Sequence, residues 1–196
     1  MTVEHEGLRA RRRRLTEDRI TEAAYRLFEA ASFEAVSVEE IAAAAEVSPR
    51  TVYRYFPTKE DLVLANPGGV DAVRSALAQA DPQESDVRYL ARAMVAGLTA
   101  RSPEDAARMY RLIERTPALQ ARVLQVTWGS QPLLVEALMV RGRRTRGAER
   151  RARLLAQTVA NLVRMAHLDW ISAGHRGSVW TLVDEALSIL KDALTT

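Results

Sequence analysis

The sequence predicts an all-α fold in two parts, a small three-helix domain followed by a larger helical one, on three observations. Ala, Leu, Arg and Glu dominate the 196 residues, and β-branched alternation over strand lengths is nearly absent. Helix start and stop signals recur along the whole chain. The length exceeds the usual single-domain size: the first three helices take about 50 residues, which leaves over ~100 for a second core.

The elements follow in chain order. Residues 1–14 carry Arg9 and the run Arg11 to Arg14 and read as a basic flexible tail. Thr16 opens an amphipathic helix with Glu17 and Asp18 in its first turn, and Ile20, Ala23, Ala24, Leu27 and Phe28 face inward until about Ala31. Ser37 and Glu40 make a capping box for a second helix, in which Ile41, Ala44 and Ala45 form the apolar stripe. Ser48 caps a third helix with Pro49 at its first position, and Pro57 stops it. There Val52 and Phe56 are i, i+4 anchors, which leaves Arg50, Thr51, Tyr53, Arg54 and Tyr55 largely outward. Thr58 is the N-cap of a fourth helix. Asn66-Pro67-Gly68-Gly69 would cost about 3 kcal/mol for the proline and ~1 kcal/mol for each glycine inside a helix, so a break is expected there. Further helices are expected at about 70–80, 86–100, 103–115, 117–141, 149–173 and 178–194. Asp86, Ser102, Thr116 and Ser178 are their start signals, and Pro103 and Pro117 stand at first helical positions.

The second and third helices meet across a tight turn at Glu46, Val47 and Ser48. That is a helix-turn-helix, whose second helix enters the major groove while the first crosses the backbone. Two guanidinium groups and two large aromatics on the outside of a two-turn helix have little to do for stability, but they suit phosphates and base edges. An arginine forks onto guanine and a threonine methyl touches thymine. Lys59, next to the N-cap Thr58, brings an ammonium and a helix N-terminus towards one anion. The total charge of +3 is a poor guide, because residues 1–65 hold 10 basic and 12 acidic side chains, 10 − 12 = −2. Distribution matters more: the basic residues lie on segments that can meet phosphate, and the tail can reach along the backbone or into a minor groove.

Ile20 to Phe28, Phe33, Val36 to Ala45 and the run Val47-Ser-Pro-Arg-Thr-Val-Tyr-Arg-Tyr-Phe-Pro-Thr-Lys-Glu-Asp-Leu resemble the TetR family of transcriptional regulators over roughly residues 15–65. The resemblance implies that Tyr53 and Lys59 clamp DNA phosphates, that Arg50 and Thr51 approach bases, and that Ser37 touches the backbone. Ser48, Arg54 and Tyr55 complete the candidate DNA-binding set. The expected division is a tail at 1–14, a helix-turn-helix DNA-binding domain at 15–65, and a helical ligand-binding and dimerisation domain at 66–196.

Two features of the second domain bear on partners. Leu154, Leu155, Val159, Leu162, Val163, Ala166 and Ile171, then Val179, Leu182, Val183, Ala186, Ile189, Leu190, Ala193 and Leu194, cover wider arcs than one neighbour can bury. A two-fold partner contributing the same helices is the natural solution, so a homodimer is expected. A small effector is expected among Met94, Met109, Tyr110, Ile113, Trp128 and Met165, because Trp128-Gly-Ser-Gln-Pro132 weakens the middle of a long helix beside an amphipathic indole. Segment 108–125 resembles the TetR subgroup described as binding acyl-CoA-like ligands. The seven arginines between 141 and 153 read as a solvated loop, with attraction of an acidic ligand as the other reading.

Other classes are set aside. The absence of cysteine removes disulfides and thiolate chemistry, and three scattered histidines make no ligand spacing, so no metal and no cofactor is expected. His167 and Asp169 point to different sides of a helix, and no nucleophile elbow or phosphate loop is present; no catalytic residue is assigned. No apolar run approaches ~18 residues, so the chain is expected to be cytoplasmic, with no membrane partner. The resulting expectation is a dimeric, sequence-specific regulator on double-stranded operator DNA, a repressor released by a largely apolar effector. The alternative is an architectural or division factor of the same fold without an inducer.

Overall fold

In the computed structural model every element is helical among the described residues: α1 Thr2–Ala30, α2 Val38–Ala44, α3 Pro49–Tyr55, α4 Lys59–Leu64, α5 Gly69–Ala78, α6 Asp86–Thr99, α7 Pro103–Arg115, α8 Pro117–Arg141, α9 Ala148–Ser172 and α10 Val179–Thr195. The structure describes the backbone of residues 2–66, 68–79, 81–142, 145–174 and 176–195, and the side chains of these except 2–7, 9, 10, 127–131, 194 and 195. Arg9, Pro67, Trp128 and Leu194, named above, and Arg143 and Arg144 of the 141–153 arginines therefore have side chains outside the described residues. The helix bounds from α5 onward fall within two residues of those read from caps and prolines, since those signals act within one turn of the ends they set.

The chain forms two compact units. One comprises residues 1–67 with 108–123; the other comprises 68–107 with 124–196. This corrects the expected boundary, which placed 108–123 in the second domain. Leu112 and Leu119 are fully buried in the same cluster as Ile20, Phe28, Ile41, Val52 and Leu62, and Met109 and Ile113 pack against it. The α1–α4 face would otherwise expose that apolar surface to water. Polar ties seal the join. The Arg108 guanidinium forks onto Glu29 at 2.9 and 3.1 Å and reaches Glu22 at 3.0 Å. Arg115 donates to the Phe28 carbonyl at 3.1 Å, and Arg122 pairs with Asp61 at 2.8 Å.

A second correction concerns residues 1–14. Residues 2–14 continue α1 rather than forming a flexible tail. Arginine is a good helix former, Arg13 pairs with Glu17 at 2.8 Å one turn on, and the Thr16 hydroxyl donates back to the Arg12 carbonyl at 2.9 Å instead of capping a new start. In α2 the buried stripe is Val38, Ile41, Ala42 and Ala45, and Ala44 faces solvent.

Helix α4, in the first unit, ends at Leu64 and α5, in the second, begins at Gly69, a break that the Asn66–Gly69 sequence implies. Helices α5 and α6 meet tightly at Gly97, where a Cβ would lie 2.6 Å from Val73 Cγ2 and 3.3 Å from the Gly69 carbonyl oxygen. The small residues Ala152, Ala156, Ala160 and Ala166 are buried on α9, with Val179 and Val183 of α10 in the same unit. Residues 128–132 remain helical, Pro132 included. Two of the seven arginines of the 141–153 stretch are structural: Arg141 at the end of α8 and Arg151 in α9 both pair with Asp86, the latter at 2.6 Å, and the Arg141 guanidinium lies over Tyr89. No helix is long and apolar enough to cross a membrane among the described residues.

Candidate nucleic-acid interface

The turn between α2 and α3 sets the site. Ala45 ends α2, and Glu46 takes a left-handed conformation at φ +53°. The Glu46 N–H donates to the Ala43 carbonyl at 3.1 Å and the Val47 N–H to the Ala42 carbonyl at 2.9 Å. This is the paired bonding of a Schellman cap, and Val47 packs on the core, the apolar contact that often accompanies that motif. The chain reverses within three residues and delivers Ser48 as the next N-cap. The Thr51 N–H donates to Ser48 Oγ at 3.1 Å, and the two hydroxyls are 2.9 Å apart.

Helix α3 is fixed by burial of Val52 and of Phe56 just beyond it, which are 1% and 6% exposed. Arg50, Tyr53 and Arg54 are exposed and Thr51 is half-buried. Tyr55 departs from the outward reading: it is half-buried and packs on the core, with Arg54 stacked over its ring at 5.0 Å. On the opposite helix start, Ser37 is occupied in the capping box. Its N–H donates to Glu40 Oε2 at 2.7 Å, its hydroxyl donates to the same oxygen at 2.8 Å, and the Glu40 N–H returns to Ser37 Oγ at 3.2 Å. The backbone N–H, then the hydroxyl, hold the Glu40 carboxyl below its ordinary range.

Lys59 is the residue whose geometry differs most from its expected role. Its ammonium donates to the carbonyls of Phe33 at 2.7 Å and Val36 at 3.0 Å, and lies 4.4 Å from the centre of the Phe33 ring. It staples the start of α4 to the α1–α2 connection, and one of its three N–H donors is left over from those two bonds. The α4 start is further set by the Thr58–Asp61 capping box. Two contacts have no counterpart in the sequence reading, although Arg13 itself belongs to the basic run named there. Arg13 stands 5.6 Å from the centre of the Tyr55 ring, and its i, i+4 spacing to Glu17 was the available signal. Asp61 receives Arg122 across 61 residues, for which no local pattern exists.

The six candidate effector contacts do not share one core. Met109 and Ile113 pack on the first unit's core and Met94 on the second's. Tyr110 is half-buried, Met165 is 57% exposed, and Trp128 lies outside the described side chains. The cause is helical periodicity, since the face of α7 bearing Met109, Leu112 and Ile113 is the face that closes the first core.

Residues 20–65 match the model of the bacterial regulatory proteins of the tetR family. The chain is 38% identical over 128 residues to the HTH-type transcriptional regulator TcmR of Streptomyces glaucescens, a match covering 61% of this chain and 57% of that relative. The chain thus spans less than two thirds of that relative's length. Among solved structures it resembles a TetR-family regulator from Streptomyces coelicolor, with TM-score 0.58, 21% identity and coverage of 92% of this chain and 95% of the other. It also resembles Thermus thermophilus FadR, a TetR-family transcriptional repressor in complex with lauroyl-CoA, with TM-score 0.50, 26% identity and coverage of 89% and 92%. Residues 20–65 are therefore a helix-turn-helix domain of the TetR family of bacterial regulatory proteins, carried in that family's all-helical fold.

Proposed function

We propose that the chain is a sequence-specific DNA-binding regulator of transcription that acts as a homodimer and leaves its operator when a largely apolar, acyl-CoA-like effector binds. The observation that carries the reading is α3: its apolar residues are sunk in the core while Arg50, Tyr53 and Arg54 are exposed on a helix started by a tight reversal. Arg50 and Thr51 supply base-edge contacts and Tyr53 phosphate contacts, with Ser37, Ser48 and Lys59 holding helix ends at the backbone. Lys59 combines its staple with its remaining donor.

Dimerisation is supported by Leu154 and Met165 on α9 and Ile189 on α10, which are 61%, 57% and 69% exposed. Apolar side chains so open to water favour a second copy laid against the same helices. The likeness to the lauroyl-CoA complex supports the effector class. Two reading heads must sit about 34–36 Å apart on DNA, so an effector favouring another spacing weakens binding by linkage. Helices α7 and α8 each contribute residues to both units, and in this reading they link effector to head, which removes the need for an unbroken α4–α5 connection.

The test uses the full chain. Selection from a random duplex library should return a two-fold-related site, sedimentation should give a dimer at micromolar concentration, and lauroyl-CoA should lower operator affinity. Sequence-indifferent binding would overturn the regulator reading. A monomer would overturn the dimer, and saturable lauroyl-CoA binding without release of DNA would overturn the effector mechanism.

A further inference from the structure

We infer that Arg11, Arg12 and Arg14, carried on a rigid helical turn that Arg13 fixes to the recognition helix, form a second phosphate-binding surface on DNA beside α3. The inference rests on the DNA-binding reading above and adds to it a contact surface outside the helix-turn-helix.

The placement comes from three contacts within one unit. The Arg13 guanidinium lies 5.6 Å from the centre of the Tyr55 ring, the ring that also carries Arg54 at 5.0 Å. Arg13 is further held by Glu17 at 2.8 Å, and Tyr55 packs on the core. Arg13 is thus the joint between α1 and the C-terminal end of α3. Its neighbours in sequence have nowhere to go but outward: Arg11, Arg12 and Arg14 are all exposed.

The charge arrangement points to a polyanion. Consecutive helical residues project at steps of about 100°, so four arginines in a row sweep most of the circumference, and any side turned towards a duplex presents a guanidinium. Arg13 and Arg54 crowd one ring, and Arg11 to Arg14 crowd one turn, where Glu17 pairs with Arg13 and the exposed Asp18 stands one turn beyond Arg14, so four guanidinium groups face two carboxylates. Like charges this close repel, and the repulsion is relieved when phosphates arrive. The match in scale is good. Four helical residues rise ~6 Å, a length over which duplex DNA carries about three to four negative charges.

What separates this inference from a basic arm is rigidity, and the experiment is built on that. The salt dependence of binding by the full chain is measured on its selected duplex and on random duplex. R11Q/R12Q/R14Q should lower the slope of log affinity against log salt by about two units or more on both, since each lost phosphate contact is worth ~0.9 unit. The ratio between the two DNAs should be kept. Leu15→Pro retains every arginine but breaks the helix between them and Glu17. Residues 16–30 can still start a helix behind it, because proline is tolerated at a first helical position. It should lower the slope as the triple variant does. A slope change below about 0.5 unit in the triple variant would overturn the inference. So would a wild-type slope in Leu15→Pro with an unchanged melting temperature, because the arginines would then be acting as a loose arm. Wild-type protein that selects no sequence would instead overturn the underlying reading, whatever these slopes.

Discussion

The recognition helix and the segment 108–123 belong to the same compact unit, and both are rich in arginine, yet their charges are used in opposite ways. Arg108, Arg115 and Arg122 each end on a carboxylate or a carbonyl of α1 or α4, at 2.8–3.1 Å. On α3, Arg50 is exposed, and Arg54 lies over the Tyr55 ring rather than on an acid. The first set joins pieces of one core; the second is presented to a partner. The number of arginines does not tell these apart. The availability of a fixed acceptor does, which is why residues 1–65, with a net charge of 10 − 12 = −2, can still offer phosphate a basic surface.

The sharpest way to break the comparison is to remove the glue's apolar partner. Leu112 is 1% exposed in the head's core, so Leu112→Ala should destabilise the first unit by roughly 2–5 kcal/mol. Urea unfolding measures the loss. At temperatures where the variant stays folded it should bind DNA as the wild type does, because no reading residue is touched. A neutral Leu112→Ala would mean that residues 108–123 are not part of the head's core.

Lys59 and Arg50 form the next pair. Lys59→Ala leaves the carbonyls of Phe33 and Val36 without their donor, a loss of about 1–3 kcal/mol in stability, together with weaker binding to any duplex. Arg50→Ala should leave melting unchanged and cost roughly 1–3 kcal/mol on the selected sequence with far less on random DNA. If thermal melts place both variants at the wild-type value, the staple is not contributing.

These contrasts also mark what the sequence could and could not say. Ser48-Pro49, Ser37 with Glu40, and Thr58 act on backbone groups within three residues, so their helix starts were legible. Arg108 reaches Glu29 across 79 residues, and Lys59 reaches Phe33 across 26. Such partners are chosen by packing, and no periodicity encodes them. The Arg11–Arg14 run illustrates a local failure. Charge density suggested a tail, but helix propensity and the Glu17 pair outweigh repulsion once α1 is anchored by Ile20 and Phe28.

A pH series sharpens the ionic half of the comparison. The hydrogen bond from Arg108 holds the Glu29 carboxyl below its ordinary value of 4.5, so the pair stabilises the fold above that pH and loses its effect as pH falls through the lower folded value. Arg108→Ala should therefore melt below the wild type at pH 6 to 7, and the gap should shrink once pH drops under 4.5. Glu29 is 44% exposed, which limits the size of the shift to a few degrees or less. A gap that stayed constant to pH 3 would assign the effect of Arg108 to its packing over Tyr25 instead.

The smallest expected effect is at the hinge of the motif itself. Glu46 adopts φ +53°, a conformation that strains any side chain with a Cβ and that glycine takes freely. Its carboxylate also stands at the C-terminal end of α2, where the helix dipole disfavours negative charge. Both terms favour Glu46→Gly in the folded state, while the extra freedom of glycine in the unfolded chain opposes it, so a net gain of at most about 0.5–1 kcal/mol is expected. The two favourable terms can be separated. Glu46→Gln keeps the strain and removes the charge, and Glu46→Asn removes the charge while tolerating the left-handed conformation. The expected order of stability in urea is Gly above or equal to Asn, Asn above Gln, and Gln above the wild type. If Gln equalled Asn, the charge alone would account for the gain, and the turn would be under no conformational strain at Glu46.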